Sequence, residues 1–537
     1  MQANKRAYRG RVVQMDTTFN VFADGIVWIE ANRIIAVADA GASKPVGFEH
    51  IQPVVTGGTI FPGLIELHNH LAYNVLRPWD VPKPYANREE WRDDEDYKAI
   101  VNDPMNVLGK SSGVAPAIAR YTEAKCLLAG TTTSQGITLS SNLGMKRYYR
   151  GLIRNVEESL DSNLPDAKAR IPNYRPKDKE QFLKDLKDYE CFLLHLSEGI
   201  GDDARSYFLG LEIEPGSWAI APSLTGIHCT ALKAEDFERL AQNGAGMVWS
   251  PLSNLMLYGG TADIKVARAA GIRIALGSDW SPSGSKNLLH EMKMAWRYSE
   301  FSGGIFSRRE IVAMSTISAA GLLRWDRYLG SLETGKYADL IVIRGDQSDP
   351  YEALLNADET SIDLVVVDGV PRSARPALAA GFSKTSELVA FANERRMINF
   401  DDAAADQAVA GLSLSAAEKI LKEAMAGLGN PLAILAKVSP YSQWRADLPP
   451  TQEEWTIVLD EEEENGHDTV PQFDGSAKIP EILRDAKHTS PMAPLSTPLK
   501  PQELDKLTVA GDDDYYPSFL AQKNIPETIK LALFPGQ

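Results

Sequence analysis

The sequence predicts an α/β chain built on a (β/α)8 TIM barrel. A small β-sandwich domain from the segments flanking the barrel and a mostly helical or irregular C-terminal extension complete the expected fold. Three observations carry this expectation. Eight short apolar or β-branched runs alternate with helical segments or long crossovers. Stretches rich in strand signals bracket that series on both sides. Beyond about Ala380 the periodicity weakens and Pro, Asp and Lys accumulate. A chain of 537 residues is too long for one small domain. The expected division is residues 1–57 and 330–377 for the two parts of the β-domain, 58–329 for the barrel and 378–537 for the extension.

The elements follow in order. GRVVQMDTTF and DGIVWIEANRIIAVAD read as short strands, with turn signals at Ala23-Asp24-Gly25 and Ala31-Asn32-Arg33. FPGLIELHNH, Phe61 to His70, is the first barrel strand. The helix APAIARYTEAKCLLAG ends on Gly130, a natural residue just past a helix end. TTTSQGI, RGLIRNVEE and ARIPNYR supply the second, third and fourth strands. The charged helix PKDKEQFLKDLKDYE opens on Pro176, suited to a first turn. CFLLHLSEG, LTGIHCTAL, AGMVWSPLSN and IRIALGSDW supply the last four strands, separated by ARSYFLGLEI, KAEDFERLAQNG and ADIKVARAAG. LLHEMKMAWRYSE closes the series. LGSLETGKYADLIVIRGD and IDLVVVDGVP then return to strand character. In the extension, Ser415-Ala-Ala-Glu418 reads as a capping box opening the helix EKILKEAMAG, and WTIVLDEEEENG reads as a strand ending in an acidic run.

The net charge of −16 leaves no basic surplus to neutralise phosphates, which argues against a nucleic-acid partner. No apolar run approaches a membrane span, and the first residues carry no apolar core of a signal peptide. Cys126, Cys191 and Cys229 form no spaced framework. A cytoplasmic location and a small-molecule partner are expected from these features.

The chemistry concentrates at strand ends. The chain has eight histidines, and two of them, His68 and His70, stand one residue apart at the end of an apolar strand. Residues i and i+2 of a strand share a face. The fifth strand carries His195 and, three residues on, Glu198; the sixth carries His228; the eighth ends in Asp279. The C-terminal ends of parallel barrel strands converge on one mouth, so these groups would meet there. Imidazole nitrogen and carboxylate oxygen suit one divalent ion, Zn²⁺ first and Fe²⁺ second. His50, His290, His467 and His488 fall at no strand end and read as ordinary structural histidines.

These motifs resemble the amidohydrolase superfamily, in particular the branch with chlorotriazine hydrolases, guanine deaminase and cytosine deaminase. The resemblance runs from about Gly10 to Pro371 on FPGLIELHNH, LLHLSEG, GIHCTAL, WSPLSNLML, ALGSDWSPSG and GSLETGKYADLIVI. It implies that His68, His70, His195 and Asp279 hold one divalent metal. His228 would hydrogen-bond the attacking water or the substrate. Glu198 would shuttle protons, and Asp279 could also accept one. Binuclear members carry a carboxylated lysine at the fourth strand, and ARIPNYR has none at its end, so one metal is expected. Family members are commonly oligomers, and a homo-oligomer is expected on that ground alone.

The resemblance implies a hydrolase of carbon–nitrogen bonds other than peptide bonds, with deamination of a small heterocycle as the leading reaction. A cyclic-amide or amide hydrolase on the same site is the alternative enzyme. A non-catalytic binding subunit is the alternative from another class, disfavoured because every expected ligand and Glu198 are present. The long crossover after His70 is rich in aromatic residues whose faces could stack on a flat ring. Tyr73, Trp79 and, at the seventh strand end, Asn254 are the expected substrate contacts.

Overall fold

The structure is a computed structural model that describes residues 5–141, 145–345, 348–435, 454–459 and 498–536. Its centre is a TIM-barrel-type arrangement of eight parallel strands. They are Leu64–Ile65, Thr131–Ser134, Arg154–Asn155, Lys168–Arg170, Phe192–Leu196, Leu224–His228, Gly246–Trp249 and Arg273–Leu276. The first three pair in register as one parallel set and the last five as another. The sets meet at both edges. Ala167 N donates to Val156 O at 2.7 Å, and Leu67 N donates to Leu276 O at 3.5 Å. All eight runs read as strands in the sequence therefore form strands, including the short third and fourth.

The fifth and sixth strands are buried along both faces, which explains their nearly continuous apolar character. Ile65, Leu193, Ile227, Val248 and Ala275 come from five different strands and pack into one cluster. Leu193 and His195 share a strand face, so His195 sits above this packed interior, toward the mouth. Helix Ala115–Leu128 is followed by Gly130 at φ +83°, where a side chain would be strained. The crossover after His70 holds the helices Arg88–Arg92 and Asp103–Gly109, so it is an ordered cap on the barrel.

The flanking β segments pair with each other, as expected, but they form one continuous nine-stranded sheet. Val54–Pro62 joins its halves: it runs parallel to Lys5–Val13 and antiparallel to Leu340–Arg344. The sheet does not stop at residue 377. Glu394–Ile398 pairs with Val370–Ala374, and Glu387–Phe391 pairs with Glu394–Ile398 in turn. The first part of the expected extension thus belongs to the sheet.

Two local expectations are corrected. Ala23-Asp24-Gly25 is not a turn but lies inside the strand Val21–Glu30. The register slips there, between Gly10 and Val12 on the partner strand, so a bulge absorbs the turn-forming residues. The Arg9 guanidinium also grips the Asp24 carboxylate with two hydrogen bonds, at 2.8 and 2.6 Å. The helix expected from a capping box at Ser415 starts earlier, spanning Leu414–Ala426 with Ser413 as its cap. The Glu387 carboxylate from the sheet accepts from Leu414 N, so a tertiary partner does the work assigned to Glu418. Trp455–Ile457 is a strand and adds to the hairpin of Thr138–Ser141 and Lys146–Tyr148. The acidic run after it lies outside the described residues, as do His467 and His488.

The eighth strand approaches the first most closely at Gly277. A Cβ there would lie 2.4 Å from His68 Cβ and 2.8 Å from both the N and the O of His68. Gly277→Ala is expected to cost about 1–3 kcal/mol, since the clash is with backbone that cannot move aside. Gly260→Ala, whose added carbon would meet nothing nearer than 3.9 Å, is the comparison. Equal denaturation midpoints for the two variants would refute this reading.

Candidate metal centre

Four strand ends deliver the donors. Three of them bend through left-handed backbone that non-glycine residues seldom adopt: Ser197 at φ +52°, His228 at +67° and Asp279 at +67°. Each such turn costs ~1–3 kcal/mol and redirects a side chain at the mouth. The ends of the first and eighth strands lock together. Asp279 N donates to His68 O at 3.0 Å, and His70 N donates to Asp279 O at 2.7 Å.

The result is a buried cluster. His68 Nε2 lies 3.2 Å and His70 Nε2 3.4 Å from Asp279 Oδ1. The ring of His68 stands 4.7 Å from that of His195 and 4.9 Å from that of His228. Two triads, His68–His70–His195 and His68–His228–Asp279, each bring their ligand atoms within 4.8 Å of one another. Burial drives the pKa of His195 and of His228 well below 6.5, and at His228 the Asp279 carboxylate opposes it. Burial alone would raise Asp279, but the surrounding imidazoles of His68, His228 and His70 outweigh it and hold the carboxyl below its usual range. His68 Nε2 and His195 Nδ1 are buried without a hydrogen-bond partner. Orphaned imidazole nitrogens facing an ionised carboxylate fit a divalent cation.

Neighbouring amides set the proton positions on two of the rings. Gln135 Oε1 accepts from Asn69 N at 2.9 Å, which fixes which end of that amide is oxygen. The same oxygen is 3.3 Å from His68 Nδ1, so His68 carries its proton there and turns the Nε2 lone pair inward. His228 is set the other way. Trp249 Nε1 can only donate, and it donates to Thr261 Oγ1 at 2.8 Å. In the arrangement the structure records, Thr261 Oγ1 donates to Asn254 Oδ1, 3.1 Å away. That leaves Asn254 Nδ2 to donate to His228 Nδ1 at 3.0 Å. His228 then bears its proton on Nε2, which points toward the centre as a donor. A donor cannot ligate a cation, in line with a role beside the metal shell rather than in it.

Glu198 is buried with its carboxylate between three groups. Tyr258 OH donates to Oε1 at 2.7 Å, while Oε2 lies 3.6 Å from His228 Nε2 and 3.7 Å from Arg88 Nε. Burial raises its pKa above the usual carboxyl value, against the pull of Arg88 and with a push from Asp279. Trp91 Nε1 donates to Tyr258 OH at 2.8 Å and completes the support. Ser253 Oγ donates to Asp279 Oδ2 at 2.6 Å.

The open space beside the donors is lined by Tyr73, Arg88, Trp91, Tyr97 and Trp280, along with Glu198 and His228. Tyr73 thus stands where the sequence placed it, and its ring lies 5.1 Å from that of Trp280. Trp79 does not line this space. It is buried one layer below, stacked on Tyr85 at 6.1 Å, where it packs the cap onto the barrel. Asn254 is fully buried, with its Nδ2 3.0 Å from His228 Nδ1 and its Oδ1 3.1 Å from Thr261 Oγ1. Arg88, Trp280, Gln135 and Tyr258 were missed. A signal existed for Tyr258: it follows Asn254 by four residues on helix Pro251–Tyr258 and shares its face. Cys229 is buried and free, and lies in none of the donor groups among the described residues.

Fold and donors together describe a TIM-barrel-type chain whose strand ends carry a site suited to a divalent metal ion. The sequence profile of the Amidohydrolase family matches residues 217–372. A 5-methylthioadenosine/S-adenosylhomocysteine deaminase of Symbiobacterium thermophilum is 26% identical over 375 residues, 62% of this chain and 84% of that protein. Among solved structures, E. coli guanine deaminase aligns with a TM-score of 0.54 at 17% identity, over 68% of this chain and 99% of its own. Atrazine chlorohydrolase of Arthrobacter aurescens TC1, solved with zinc, aligns with a TM-score of 0.53 at 20% identity, over 68% and 94%. Over these residues the chain is similar to the amidohydrolase superfamily, and it is an enzyme of the class that hydrolyses carbon–nitrogen bonds other than peptide bonds.

His68→Ala is expected to abolish stoichiometric metal binding, a loss beyond the roughly 10–100-fold that outer partners of ligands carry. His290→Ala is expected to keep it, because His290 Nδ1 lies 3.1 Å from Ser285 Oγ and 3.1 Å from Tyr515 OH, in a separate pocket. Metal analysis of the two purified variants checks both statements, and a His68→Ala protein with its full metal content would refute the site.

Proposed function

We propose that the protein is a zinc-dependent aminohydrolase that removes an exocyclic amino group from a planar heterocycle. His68, His70, His195 and Asp279 would hold the ion; His228 and Glu198 would act on the substrate and the water. The observation that carries this reading is the buried Glu198 carboxylate, held by Tyr258 within 3.6 Å of an imidazole N–H beside the donor cluster. The orphaned imidazole nitrogens and one carboxylate favour zinc, and so does the zinc in the related chlorohydrolase. When bound, such an ion supplies Lewis acidity that makes water a competent nucleophile near neutral pH.

The chain's own residues supply the rest. Glu198 takes a proton from the attacking water and delivers it to the departing amine, a two-step duty that suits a carboxyl with a raised pKa. The His228 Nε2–H donates a hydrogen bond to the oxygen or ring nitrogen that gains charge as the sp² carbon becomes tetrahedral. Ser253 fixes one oxygen of Asp279, leaving the other toward the imidazoles. Tyr73, Trp91, Tyr97 and Trp280 present aromatic faces for a flat ring and exclude water from the carboxylates. The deaminase relatives are named for adenine-containing substrates, so purine nucleosides head the test panel, followed by pyrimidines, pterins and triazines. The completeness of the donor set speaks against a non-catalytic subunit. No helix among the described residues is long and apolar enough to cross a membrane. The three cysteines are free and buried, which supports the cytoplasm as the proposed location.

Ammonia release from the panel tests the reading. Glu198→Gln is expected to lower kcat by about 10²–10⁴-fold with zinc content unchanged. Because Glu198 must start ionised and its pKa is raised, kcat/KM should fall as pH drops through a value above 4.5, and this acid limb should vanish in Glu198→Gln. Zinc-loaded protein that hydrolyses nothing in the panel, with Glu198→Gln behaving as wild type, would overturn it.

A further inference from the structure

The fully buried Asp505 has no part in the chemistry above. It lies in the C-terminal segment, more than two hundred residues from Asp279 in sequence, and is wholly shielded from solvent. Lys125 Nζ donates to its Oδ2 and Lys286 Nζ to its Oδ1, both at 2.6 Å. Lys286 Nζ also donates to Asp512 Oδ2 at 3.0 Å, so two buried ammonium groups meet two buried carboxylates. Ions so far from water persist only where each is paired and hydrogen-bonded. Even so, burial pulls the Lys125 ammonium down to about 8.

This charge node touches both halves of the metal centre. Lys125 Nζ donates to Asn74 O at 2.6 Å and to Ser281 Oγ at 3.3 Å. Asn74 Oδ1 accepts from Ser281 N at 2.7 Å, which ties the loop after His70 to the loop after Asp279. Asn74 Nδ2 donates to Asn69 Oδ1 at 2.8 Å, and Asn69 is the residue between His68 and His70. Asn69 Nδ2 donates to Glu66 Oε2 at 2.8 Å, and Glu66 Oε1 accepts from Ser278 N, next to Asp279, at 3.0 Å. Backbone contacts hold the node in place: Asp505 N donates to Val75 O at 2.9 Å, and Tyr121 OH donates to Asp505 O at 2.6 Å.

We propose that Asp505 is a positioning residue for the metal centre, acting through Lys125 and Asn74 on the loops that carry His68, His70 and Asp279. The C-terminal segment is then a built-in part of the site and not an appendage. Ligands must be held to about 0.5 Å for full affinity, and charge-assisted hydrogen bonds add geometric specificity to the hold on a loop. The proposal rests on the metal reading. A wild-type chain that takes up no zinc refutes that reading first, before any variant is compared.

The test uses the full chain and measures zinc affinity by competition with a chromophoric chelator, alongside the melting temperature of the zinc-free protein. Asp505→Asn and Asn74→Ala are each expected to weaken zinc binding by roughly tenfold or more. Arg77→Ala removes the ion pairs of Arg77 with Glu503 and Asp514 at the surface of the same segment. It is expected to leave zinc affinity unchanged even where it lowers the melting temperature. If Asp505→Asn does not fold, the double variant Lys125→Met, Asp505→Leu replaces it, since this leaves Lys286 paired with Asp512. A folded variant at Asp505 with wild-type zinc affinity overturns the proposal. So does an Asn74→Ala protein with wild-type affinity, or an Arg77→Ala protein that loses as much as Asp505→Asn.

Discussion

The meeting of the first strand with the eighth governs the rest of the site. Two of the clustered donor groups come from one side of that seam and one from the other, and backbone bonds between His68, His70 and Asp279 fix their separation. The seam is close because residue 277 has no side chain: any Cβ there would enter the space of His68. The left-handed backbone at Asp279 follows from this closeness, since the chain must turn sharply to aim its carboxylate at the histidines and continue into the loop behind it. His195 then completes the group from the fifth strand, seated on the packed interior.

Electrostatics inside this frame separate two roles for the same residue type. His68 and His228 are both buried imidazoles within 4.9 Å of each other, yet an amide oxygen faces one and an amide nitrogen the other. The first is thereby a lone-pair donor and the second a proton donor. Composition cannot distinguish them, and neither does burial; only the second layer of hydrogen bonds does. Glu198 is treated differently again, desolvated but stabilised by a phenol and a nearby guanidinium, which leaves it able to exchange a proton.

The sequence was most legible where periodicity and chemistry coincide. The groups His68, His70, His195, His228 and Asp279 stand out in the sequence because the first, fifth, sixth and eighth strands are apolar runs that lead into a polar residue. Trp79 and Asn254 were less legible, for a common reason. Nearness in sequence or position at a strand end suggested a contact with substrate, while the structure shows tertiary partners for both: Tyr85 stacks on Trp79 and His228 holds Asn254. Arg88 and Asp505 were invisible because their significance comes from partners far away in sequence. The turn at Asp24-Gly25 and the cap at Ser415 failed more locally. A bulge and a carboxylate from the sheet offered better solutions than the nearest residues did.

Helix Pro251–Tyr258 has a consequence of another kind. It leaves the seventh strand almost directly and carries Ser253, Asn254 and Tyr258, each bonded to a different member of the buried cluster: Asp279, His228 and Glu198. Adding or removing one residue in its first turn would rotate everything after it by about 100°. Asn254 and Tyr258 would be lost in a single event. Insertions and deletions in this stretch should therefore be purged during divergence, whereas the crossover of residues 71–110 can change length without touching any of these bonds except those from Arg88 and Trp91. That freedom has limits, because Asn74, Arg88 and Trp91 tie the crossover to Asn69, Glu198 and Tyr258, so its length can change between these anchors but not at them.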